Sequence, residues 1–356
     1  MKISTTKLQA MLVKASRGVG NNKLIPITCL IALKAHDGIL TITTTDNANY
    51  LYVREEIDDK EEFYVCIRAE QFSKLMSKMT SEFTTLTIKD NSLEVKGNGK
   101  YLIEIPFDEL GESIQFPNPL EKDTERRELG KINQSQMTTI LVTVKQGLST
   151  NISDYPYTNY YVGESVIATD AITVSVYAEK LFNEPKLINA NMMDLAGVIS
   201  ADEVKVYATK DAIIFDSKSV TVYGLNADGI ENYPVDIIMK FVTESMGYKC
   251  KVNQLALLQA LDRINLFVGT YDDASIRLKF TKNGLTIASK QTSGVETVEY
   301  AEPLEITNEV EMSISIIKLY QAIKSQLSDR FEIHFGSPKA LKIVDGKMTT
   351  VIGLIA

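Results

Sequence analysis

The sequence predicts an α+β protein of three repeated domains, each with two helices packed on an antiparallel sheet. Three observations support this fold class. The chain has 356 residues, more than one ordinary hydrophobic core contains. Helical patterns with one apolar face alternate with strand-like patterns and tight turns. Similar helices begin near residues 67, 188 and 314, a repeat of about 120 residues that is much longer than a solenoid period.

The composition is that of a globular protein, with 44% hydrophobic and 24% charged residues. The first residues contain no uninterrupted apolar core and no small-residue cleavage site. No later segment approaches the length that spans a bilayer. We therefore expect a cytoplasmic protein with no membrane partner.

The first predicted domain covers residues 1–120. Ser4 is the predicted N-cap of a helix that runs to about Arg17, and a second helix spans about residues 68–79. Alternating apolar residues and turn residues around these helices predict antiparallel strands. The apolar positions that we expect the two helices to bury are Leu8, Met11, Leu12, Ala15, Phe72, Leu75, Met76 and Met79.

A linker near residues 118–130 is predicted to lead into the second domain. Pro117 and Pro119 precede a charged run at residues 121–128, a composition typical of an exposed connection. The second predicted domain covers residues 128–247. Its helices are expected at about residues 133–147 and 190–200, and its strands around residues 160–162, 166–168, 174–176, 204–207, 212–215 and 220–223.

The third predicted domain covers residues 248–356 and has the clearest pattern in the chain. Apolar residues at helical spacing predict a helix with one buried face. Asn283–Gly284 between two alternating runs then predicts a tight hairpin. Another helix is expected at about residues 313–327, with strands up to residue 352. The stripe on the first helix is Leu257, Leu258, Leu261, Ile264 and Val268.

Each predicted sheet is covered by helices on one face, so its edge strands are free. Free edges at both ends of the chain favour pairing between neighbouring chains. Head-to-tail pairing with a fixed rotation closes into a ring. The sequence therefore predicts a ring built from a small number of chains.

Motifs for catalysis or metal binding are missing from the sequence. GxSxG, HExxH, EF-hand and HxE…CxxC patterns do not occur. The only histidines, His36 and His334, are distant in sequence. Cys29, Cys66 and Cys250 form no CxxC pair, which predicts buried free thiols. We expect no enzyme activity, no cofactor and no metal. A cluster that could stack nucleic-acid bases, or simply pack on a sheet, is Tyr155, Tyr157, Tyr160 and Tyr161.

The formal net charge of −8 argues against a protein that binds nucleic acid with its whole surface. Basic residues nevertheless recur on the predicted helices, at equivalent places in the repeat. Asp194 on a second-domain helix makes this surface uneven. The candidate basic surface consists of Lys7, Lys14, Arg17, Lys74, Lys78, Lys145, Lys318 and Lys324.

Local patterns in all three domains resemble one family. Near the N-terminus these are residues 24–27 and the hairpin at residues 37–46. The second domain has Ile167-Ala168-Thr169-Asp170, which is similar to the family's ATDG segment, and Tyr233-Pro234, which is similar to its Phe-Pro. In the third domain, residues 257–263 and 351–354 match its helix and its C-terminal tail. The whole chain thus resembles the bacterial and phage DNA sliding clamp, the beta subunit of the replicative DNA polymerase holoenzyme.

The resemblance implies a head-to-tail homodimer, six domains in a ring, with helices lining a hole for duplex DNA. The candidate basic surface would face the DNA, and its contacts would not depend on the DNA sequence. Encirclement would retain the DNA by topology, so weak phosphate contacts suffice and the ring can slide. The implied partners are the replicative DNA polymerase and the clamp-loader ATPase.

The resemblance also implies two protein-binding surfaces. Tyr101 in the first domain would face Leu266 and Phe267 in the third domain of the other chain, the alternative being that all three are core residues. A groove between the second and third domains would bind short partner peptides that contain Gln and Leu or Phe. Its lining would be Thr169, Ala171, Ile172, Thr173, Val174, Pro234, Ile238, Met239, Thr350, Ile352 and Leu354.

The groove departs from the family pattern at two places. Ile172-Thr173 stand where a His-Arg pair is common, and Ile352-Gly353-Leu354 stand where Met-Pro-Met is usual. These changes affect which peptide is preferred. The predicted function is a polymerase processivity factor that tethers partners to DNA. The alternative is an oligomeric protein-interaction scaffold that does not encircle DNA, and an enzyme with an interdomain cleft is disfavoured by the missing motifs.

Overall fold

The structure is a computed structural model that describes residues 1–20, 22, 24–122, 125–269, 274–291 and 293–355. Residues 123 and 124 of the predicted linker lie outside the described residues. The chain divides into two compact units. Unit 1 consists of Met1–Gln134 and Asn191–Asn226, and unit 2 of Ser135–Ala190 and Ala227–Ala356.

The described residues form helices and antiparallel strands, which confirms the predicted α+β class. The helices are α1 (Thr5–Ala15), α2 (Ala69–Met76), α3 (Pro119–Lys122), α4 (Gln134–Thr139), α5 (Ala190–Ala196), α6 (Val235–Thr243), α7 (Gln254–Asn265) and α8 (Ile316–Lys324). The strands up to residue 132 are β1 (Lys2–Ser4), β2 (Leu30–His36), β3 (Ile39–Thr45), β4 (Asn49–Glu56), β5 (Phe63–Arg68), β6 (Phe83–Lys89), β7 (Ser92–Lys96), β8 (Lys100–Glu104) and β9 (Arg127–Ile132). The later strands are β10 (Asn159–Val162), β11 (Val166–Thr169), β12 (Thr173–Tyr177), β13 (Lys186–Asn189), β14 (Val204–Ala208), β15 (Ala212–Asp216), β16 (Val220–Leu225), β17 (Tyr248–Asn253), β18 (Ser275–Thr281), β19 (Gly284–Ser289), β20 (Val295–Val298), β21 (Val310–Ser315), β22 (Arg330–Phe335), β23 (Ala340–Asp345) and β24 (Met348–Gly353).

Unit 1 contains a four-stranded sheet in the order β1-β6-β7-β8 and an eight-stranded sheet in the order β5-β2-β3-β4-β16-β15-β14-β9. The middle pair of the larger sheet is β4 and β16, where Val53 lies opposite Val220. Helix α1 packs on β3 and β4. The amide of Gln9 on α1 donates to the carbonyls of Met76 (2.7 Å) and Met79 (2.9 Å), which fastens α1 to the end of α2.

Unit 2 repeats this plan. Its eight-stranded sheet has the order β13-β10-β11-β12-β24-β23-β22-β17, with β12 and β24 in the middle, and its four-stranded sheet the order β20-β19-β18-β21. Helices α7 and α8 pack together. The amide of Gln254 on α7 donates to the carbonyls of Ile323 and Gln326, both at 2.9 Å. Both units therefore use a glutamine to bond two carbonyls three residues apart at the end of the neighbouring helix.

The predicted helical stripes are buried with three exceptions. Leu8, Met11, Leu12 and Ala15 are all at most 5% exposed, as expected. Leu75 and Leu258 are only half-buried. Val268 is also half-buried and lies beyond the end of α7 at Asn265, because the helix stops earlier than the apolar spacing suggests.

Several element boundaries differ from the prediction. Ser4 precedes α1, but its hydroxyl bonds the Thr6 hydroxyl (2.9 Å) instead of capping a backbone N–H. The helix predicted at residues 133–147 is α-helical only through α4, then forms a π-helical turn at Ile140–Val144 and a 3₁₀ turn at Lys145–Gly147. Helix α8 begins three residues late, because β21 occupies Val310–Ser315.

Helix α6 was not predicted from the sequence. Its residues, Val235–Thr243, are rich in β-branched and aromatic side chains that favour strands. Apolar contacts on one face stabilise it as a helix in the folded protein. The predicted linker also contains structure, namely the short α3 and the start of β9.

The strands of the predicted second domain are divided between the two large sheets. Strands β9 and β14–β16 lie in the sheet of unit 1, whereas β10–β13 lie in that of unit 2. The division into domains at residues 1–120, 128–247 and 248–356 stays a prediction. Within the residues that the structure describes, no helix is both long and apolar enough to cross a membrane.

Candidate functional site

The predicted groove is built around a tight turn in unit 2, between β11 and β12. The Asp170 carboxylate accepts the backbone N–H of Ile172 (3.0 Å) and of Thr173 (2.6 Å). The Thr169 hydroxyl donates to the Thr173 carbonyl (2.9 Å). These bonds hold Ala171 at φ +69°, a left-handed conformation that favours glycine. The turn is thus rigidly specified by short polar side chains.

The C-terminal strand joins this turn. Strands β12 and β24 pair with Thr173 opposite Ile352, and the Gly353 N–H donates to the Ile172 carbonyl (2.9 Å). The next N–H, from Leu354, donates to the Lys339 carbonyl (2.9 Å). The tail is therefore fixed beside the turn by its backbone.

Helix α6 supplies the apolar wall. Ile238 is 4% exposed and packs with Ile167, Val176 and Tyr233, while Met239 and Val174 lie partly buried beside them. The Tyr233 ring stacks on Tyr161, with centroids 5.7 Å apart, so part of the predicted tyrosine cluster packs against the sheet here. Tyr160 is fully buried, which agrees with sheet packing instead of base stacking.

The predicted groove residues divide by exposure. Surface area is available on Ala171, Ile172, Val174, Pro234, Met239 and Leu354, whereas Thr169, Thr173, Ile238, Thr350 and Ile352 are buried. Side chains alternate between sheet faces along a strand. Val351 lies opposite Val174 and packs with Val242 of α6, so Thr350 and Ile352 point to the other face. Val351 therefore shares the face of the predicted groove, although the predicted lining does not include it, because the choice of face depends on the strand register.

A buried lysine anchors α6. Lys342 on β23 is 5% exposed, and its ammonium donates to the carbonyls of Val242 (2.7 Å) and Glu244 (2.5 Å) at the C-terminal end of α6. A cation at this end also complements the helix dipole. Burial lowers the pKa of Lys342 from its ordinary value. Lys342 thereby positions the apolar wall of the groove.

One predicted DNA-facing residue is bonded to the groove turn. The ammonium of Lys318 on α8 donates to the Asp170 carboxylate, with Lys318 28% and Asp170 11% exposed. The pair lines a cavity of about 720 Å³ together with Lys145, Lys324 and Ile172. Unit 2 therefore brings its three predicted basic residues to one cavity, and Ile172 lies at its boundary with the groove.

The predicted basic residues of unit 1 differ in their exposure and in whether they pair with a carboxylate. Lys7 is half exposed and pairs with Glu55 (2.9 Å), which raises the pKa of Lys7. Lys74 pairs with Glu70 (2.6 Å) one helical turn away. Arg17 and Lys78 are exposed, and Lys14 is half-buried. The basic surface of this unit is partly neutralised by its own carboxylates.

The predicted interface residues are exposed, so they are not core. Tyr101 is 39% exposed on β8, an edge strand of unit 1. Leu266 and Phe267, just after α7, are 81% and 52% exposed. Strand β20, an edge strand of unit 2, adds Val295 at 59% exposure. Both four-stranded sheets therefore end in an edge that carries exposed apolar side chains.

A charged cluster lies beside the β8 edge. The Glu94 carboxylate on β7 is 1% exposed and pairs with Lys89 (3.1 Å), Lys96 (3.2 Å) and Lys100 (2.6 Å). The hydrogen bond from Lys100 is the main cause that lowers the pKa of Glu94 to about 2. The cluster leaves a net positive charge at this edge.

The remaining titratable candidates take structural positions. His36 pairs with Glu62 (3.0 Å) and His334 with Glu332 (2.8 Å). Cys66 and Cys250 are buried, and burial raises the pKa of each thiol to about 12. Cys29 is only partly buried, contrary to the prediction, because it ends a surface 3₁₀ turn at Pro26–Cys29.

Comparisons with known families agree at both ends of the chain. Residues 1–113 match the N-terminal domain of the DNA polymerase III beta subunit, and residues 244–355 match its C-terminal domain. The chain belongs to the DNA polymerase III beta subunit family. As a member of this family of sliding clamps it is a polymerase processivity factor, and the scaffold alternative is not favoured. No curated protein sequence matches the chain significantly.

Solved structures share the beta-subunit fold over the full length. The DNA polymerase sliding clamp of Bacillus subtilis is 17% identical, with a TM-score of 0.84 over 100% of this chain and 98% of that one. The DNA polymerase III subunit beta of Borrelia burgdorferi, in complex with a natural product, is 16% identical with a TM-score of 0.86 over the same shares. The beta subunit of Streptococcus pyogenes DNA polymerase is 16% identical, with a TM-score of 0.84 over 99% of each chain. The fold of the beta subunit is thus present from end to end at low sequence identity.

Proposed function

We propose that two copies of this beta subunit pair head to tail into a ring that encircles duplex DNA and tethers its partners there. The observation that carries this proposal is the combination of family matches at both ends with one fold over the whole length. The protein itself performs no chemistry in this role. It acts in the cytoplasm, next to the DNA that is replicated.

The exposed sheet edges support the head-to-tail pairing. Strand β8 offers Tyr101, and the region of β20 and the end of α7 offers Leu266 and Phe267. An unpaired edge with apolar side chains is a template for pairing with another chain. Joining two different edges twice gives a closed ring of two chains.

Weak DNA contact follows from the charges. The net charge is −8, and Lys7 and Lys74 already pair with carboxylates of their own chain. Tight ion pairs with phosphate would have to break at every step of sliding. The ring itself would therefore keep the protein on the DNA. A few basic helical residues inside it would bind the phosphates weakly enough for the ring to slide.

The groove of unit 2 is the proposed tether. Its partly exposed apolar residues, backed by α6 and the turn at Asp170, suit the Leu or Phe side chains of a short extended peptide. The replicative polymerase and the clamp-loader ATPase are its proposed ligands. With Ile172 and Thr173 in the turn, recognition relies on apolar contacts and backbone groups.

Primer extension on a long single-primed template tests the function. With the cognate polymerase and loader, we expect the protein to lengthen the products made in a single binding event. A template too short to need processivity serves as the control, since its extension should not change. Unchanged product length on the long template would contradict the proposal and leave the scaffold alternative.

A further inference from the structure

Unit 1 contains a cavity that none of the roles above uses. It has a volume of about 870 Å³ and lies on the eight-stranded sheet, beneath the segment of residues 115–121. This segment is fastened at its start, because the Phe116 N–H donates to the Tyr64 hydroxyl (2.8 Å). The side chains that matter for its chemistry are Lys34, Tyr52, Arg54, Asn118, Arg126 and Lys218.

The lining of this cavity is mainly cationic. Lys34, Arg54, Arg126 and Lys218 carry positive charge, against the carboxylates of Glu121 and Asp216. Lys34 lies 3.8 Å from the Glu121 carboxylate, and the 90% exposed Lys218 pairs with Glu56 at 2.9 Å, so carboxylates partly neutralise these two lysines. A positive recess in a protein of net charge −8 is selective for an anionic ligand.

Arg54 is the central residue. Its half-buried guanidinium donates to the Thr221 hydroxyl (2.7 Å), and this hydroxyl in turn donates to the Asp216 carboxylate (2.5 Å), so among the described residues Arg54 reaches that carboxylate only through Thr221. Burial is the main cause that lowers the pKa of Arg54; the charge of Asp216 opposes this effect, and the nearby Arg126 adds to it. A half-buried guanidinium that bonds no carboxylate directly still has donors to offer, and a ligand carboxylate would accept charge-assisted hydrogen bonds from it.

Unsatisfied polar groups point to the same ligand. Tyr52 is 3% exposed, and its hydroxyl has no hydrogen-bond partner of ordinary geometry within the described residues, although the backbone of Leu120 is near. The side-chain oxygen of Asn118 is also buried without a partner there. Buried polar atoms are normally hydrogen-bonded. A phenol donor and an amide acceptor beside Arg54 match a carboxylate and the N–H of a peptide.

The position of the cavity favours a peptide over a small ion. It extends over β2, β3, β4 and β16 and so includes the middle pair of its sheet, β4 and β16, while the proposed groove of unit 2 lies on β12 and β24, the middle pair of the other sheet. In unit 1 the segment of residues 115–121 lines the cavity together with residues of this pair, and in unit 2 α6 packs on β24. The same architecture thus offers an apolar recess in one unit and a cationic one in the other.

We propose that the cavity at Arg54 is a second docking site, which binds an extended acidic segment of a partner protein. An Asp or Glu carboxylate of that segment binds Arg54 and the Tyr52 hydroxyl, with Lys34 and Lys218 at the rim. The proposal concerns unit 1 alone, so it holds whether or not the protein encircles DNA.

Fluorescence anisotropy at low salt tests the site with the full-length protein. The probe is fluorescein-labelled Asp-Glu-Leu-Glu-Asp, and the matched control is Asn-Gln-Leu-Gln-Asn. We expect the acidic peptide to bind at least about tenfold more tightly than the control, the range of a charge-assisted hydrogen bond. Arg54→Gln should weaken the acidic peptide about tenfold and Tyr52→Phe about threefold. Lys205→Gln, an exposed lysine on β14 away from the cavity, should change nothing.

The outcomes separate the alternatives. Equal affinity for both peptides, or acidic-peptide binding that Arg54→Gln and Tyr52→Phe leave unchanged, would overturn the site. Tyr52→Phe keeps the ring in place, so it decides the question if Arg54→Gln does not fold. Tighter binding of a short oligonucleotide or of inorganic phosphate through Arg54 would replace the peptide by a nucleic-acid or phosphate ligand. The primer-extension result is independent, because these assays contain neither polymerase nor DNA template.

Discussion

The ammonium of Lys318 is bonded to the carboxylate of Asp170, the residue that holds the turn of the proposed peptide groove. The sequence predicts that Lys318 belongs to a basic surface facing DNA. In the folded chain the same side chain supports the groove, because α8 and the turn meet within unit 2. The turn of the proposed peptide groove is therefore connected to a residue outside the apolar lining.

Replacing Lys318 by Met should weaken peptide binding at the groove. Asp170 would lose its cation while keeping its two backbone hydrogen bonds, so the turn loosens without unfolding. Part-buried charged pairs contribute modestly, and we expect an affinity about threefold to tenfold lower. Calorimetry with the peptide Gln-Leu-Ser-Leu-Phe measures it.

The matched control for this change is Lys324→Met, which removes a lysine that lines the same cavity but is not bonded to the turn. Its peptide affinity should equal that of the unaltered protein. If both variants lost affinity equally, the cavity charge would matter and the Lys318–Asp170 bond would not.

Replacing Ala171 by Gly should stabilise the protein. Ala171 has φ +69°, where a Cβ costs about 1–2 kcal/mol and glycine costs nothing, although glycine loses about 0.4–1 kcal/mol more entropy on folding. The net gain is about 0.5–1 kcal/mol, measured as a higher urea midpoint. Ala171→Val should be destabilised instead, because β-branched residues tolerate this region poorly. A urea midpoint of Ala171→Gly below that of the unaltered protein would contradict the inference that Ala171 is strained.

Changing both Leu266 and Phe267 to Lys should produce monomers. Each apolar side chain contributes about 1.5–3 kcal/mol when an interface buries it, so the pair change weakens the dimer at least about a hundredfold. Sedimentation should then give the mass of one 39.6 kDa chain in place of two. Ile152→Lys, at an 88% exposed position elsewhere, should leave the mass of the assembly unchanged. Dimers of the double variant at micromolar concentration would contradict the assignment.

The Glu94 cluster should make stability depend on pH in one direction. The pKa of Glu94 falls to about 2 in the folded protein, below about 4.3 in the unfolded chain. Its stabilisation is therefore complete above the unfolded pKa and is lost as the pH falls towards 2. The urea midpoint of Glu94→Gln should lie below that of the unaltered protein at pH 7, and the difference should shrink between about pH 5 and pH 2.

Glu104→Gln provides the control for the pH series, since Glu104 is exposed on the neighbouring strand β8. Its midpoint should follow the unaltered protein at every pH. A pH-independent deficit in Glu94→Gln would mean that shape, and not charge, explains the effect.

Much of the fold follows from the sequence itself. The apolar spacing in α1 and α7 and the Asn283–Gly284 hairpin are local patterns, so their geometry depends on neighbours a few residues away. The Ile167-Ala168-Thr169-Asp170 segment, which resembles the family's ATDG segment, leads into a turn held by polar side chains. The exposure of Leu266 and Phe267 excludes the core alternative, and their place in an interface stays a prediction.

Other features were decided only by the tertiary structure, because these features depend on contacts between residues far apart in sequence. Helix α6 has strand-like composition, and its packing on β24 and the buried Lys342 select the helix. Strand register decides that Val351, and not Thr350 or Ile352, shares a face with Val174. The Lys318–Asp170 bond joins residues separated by 148 positions, and no local pattern contains it.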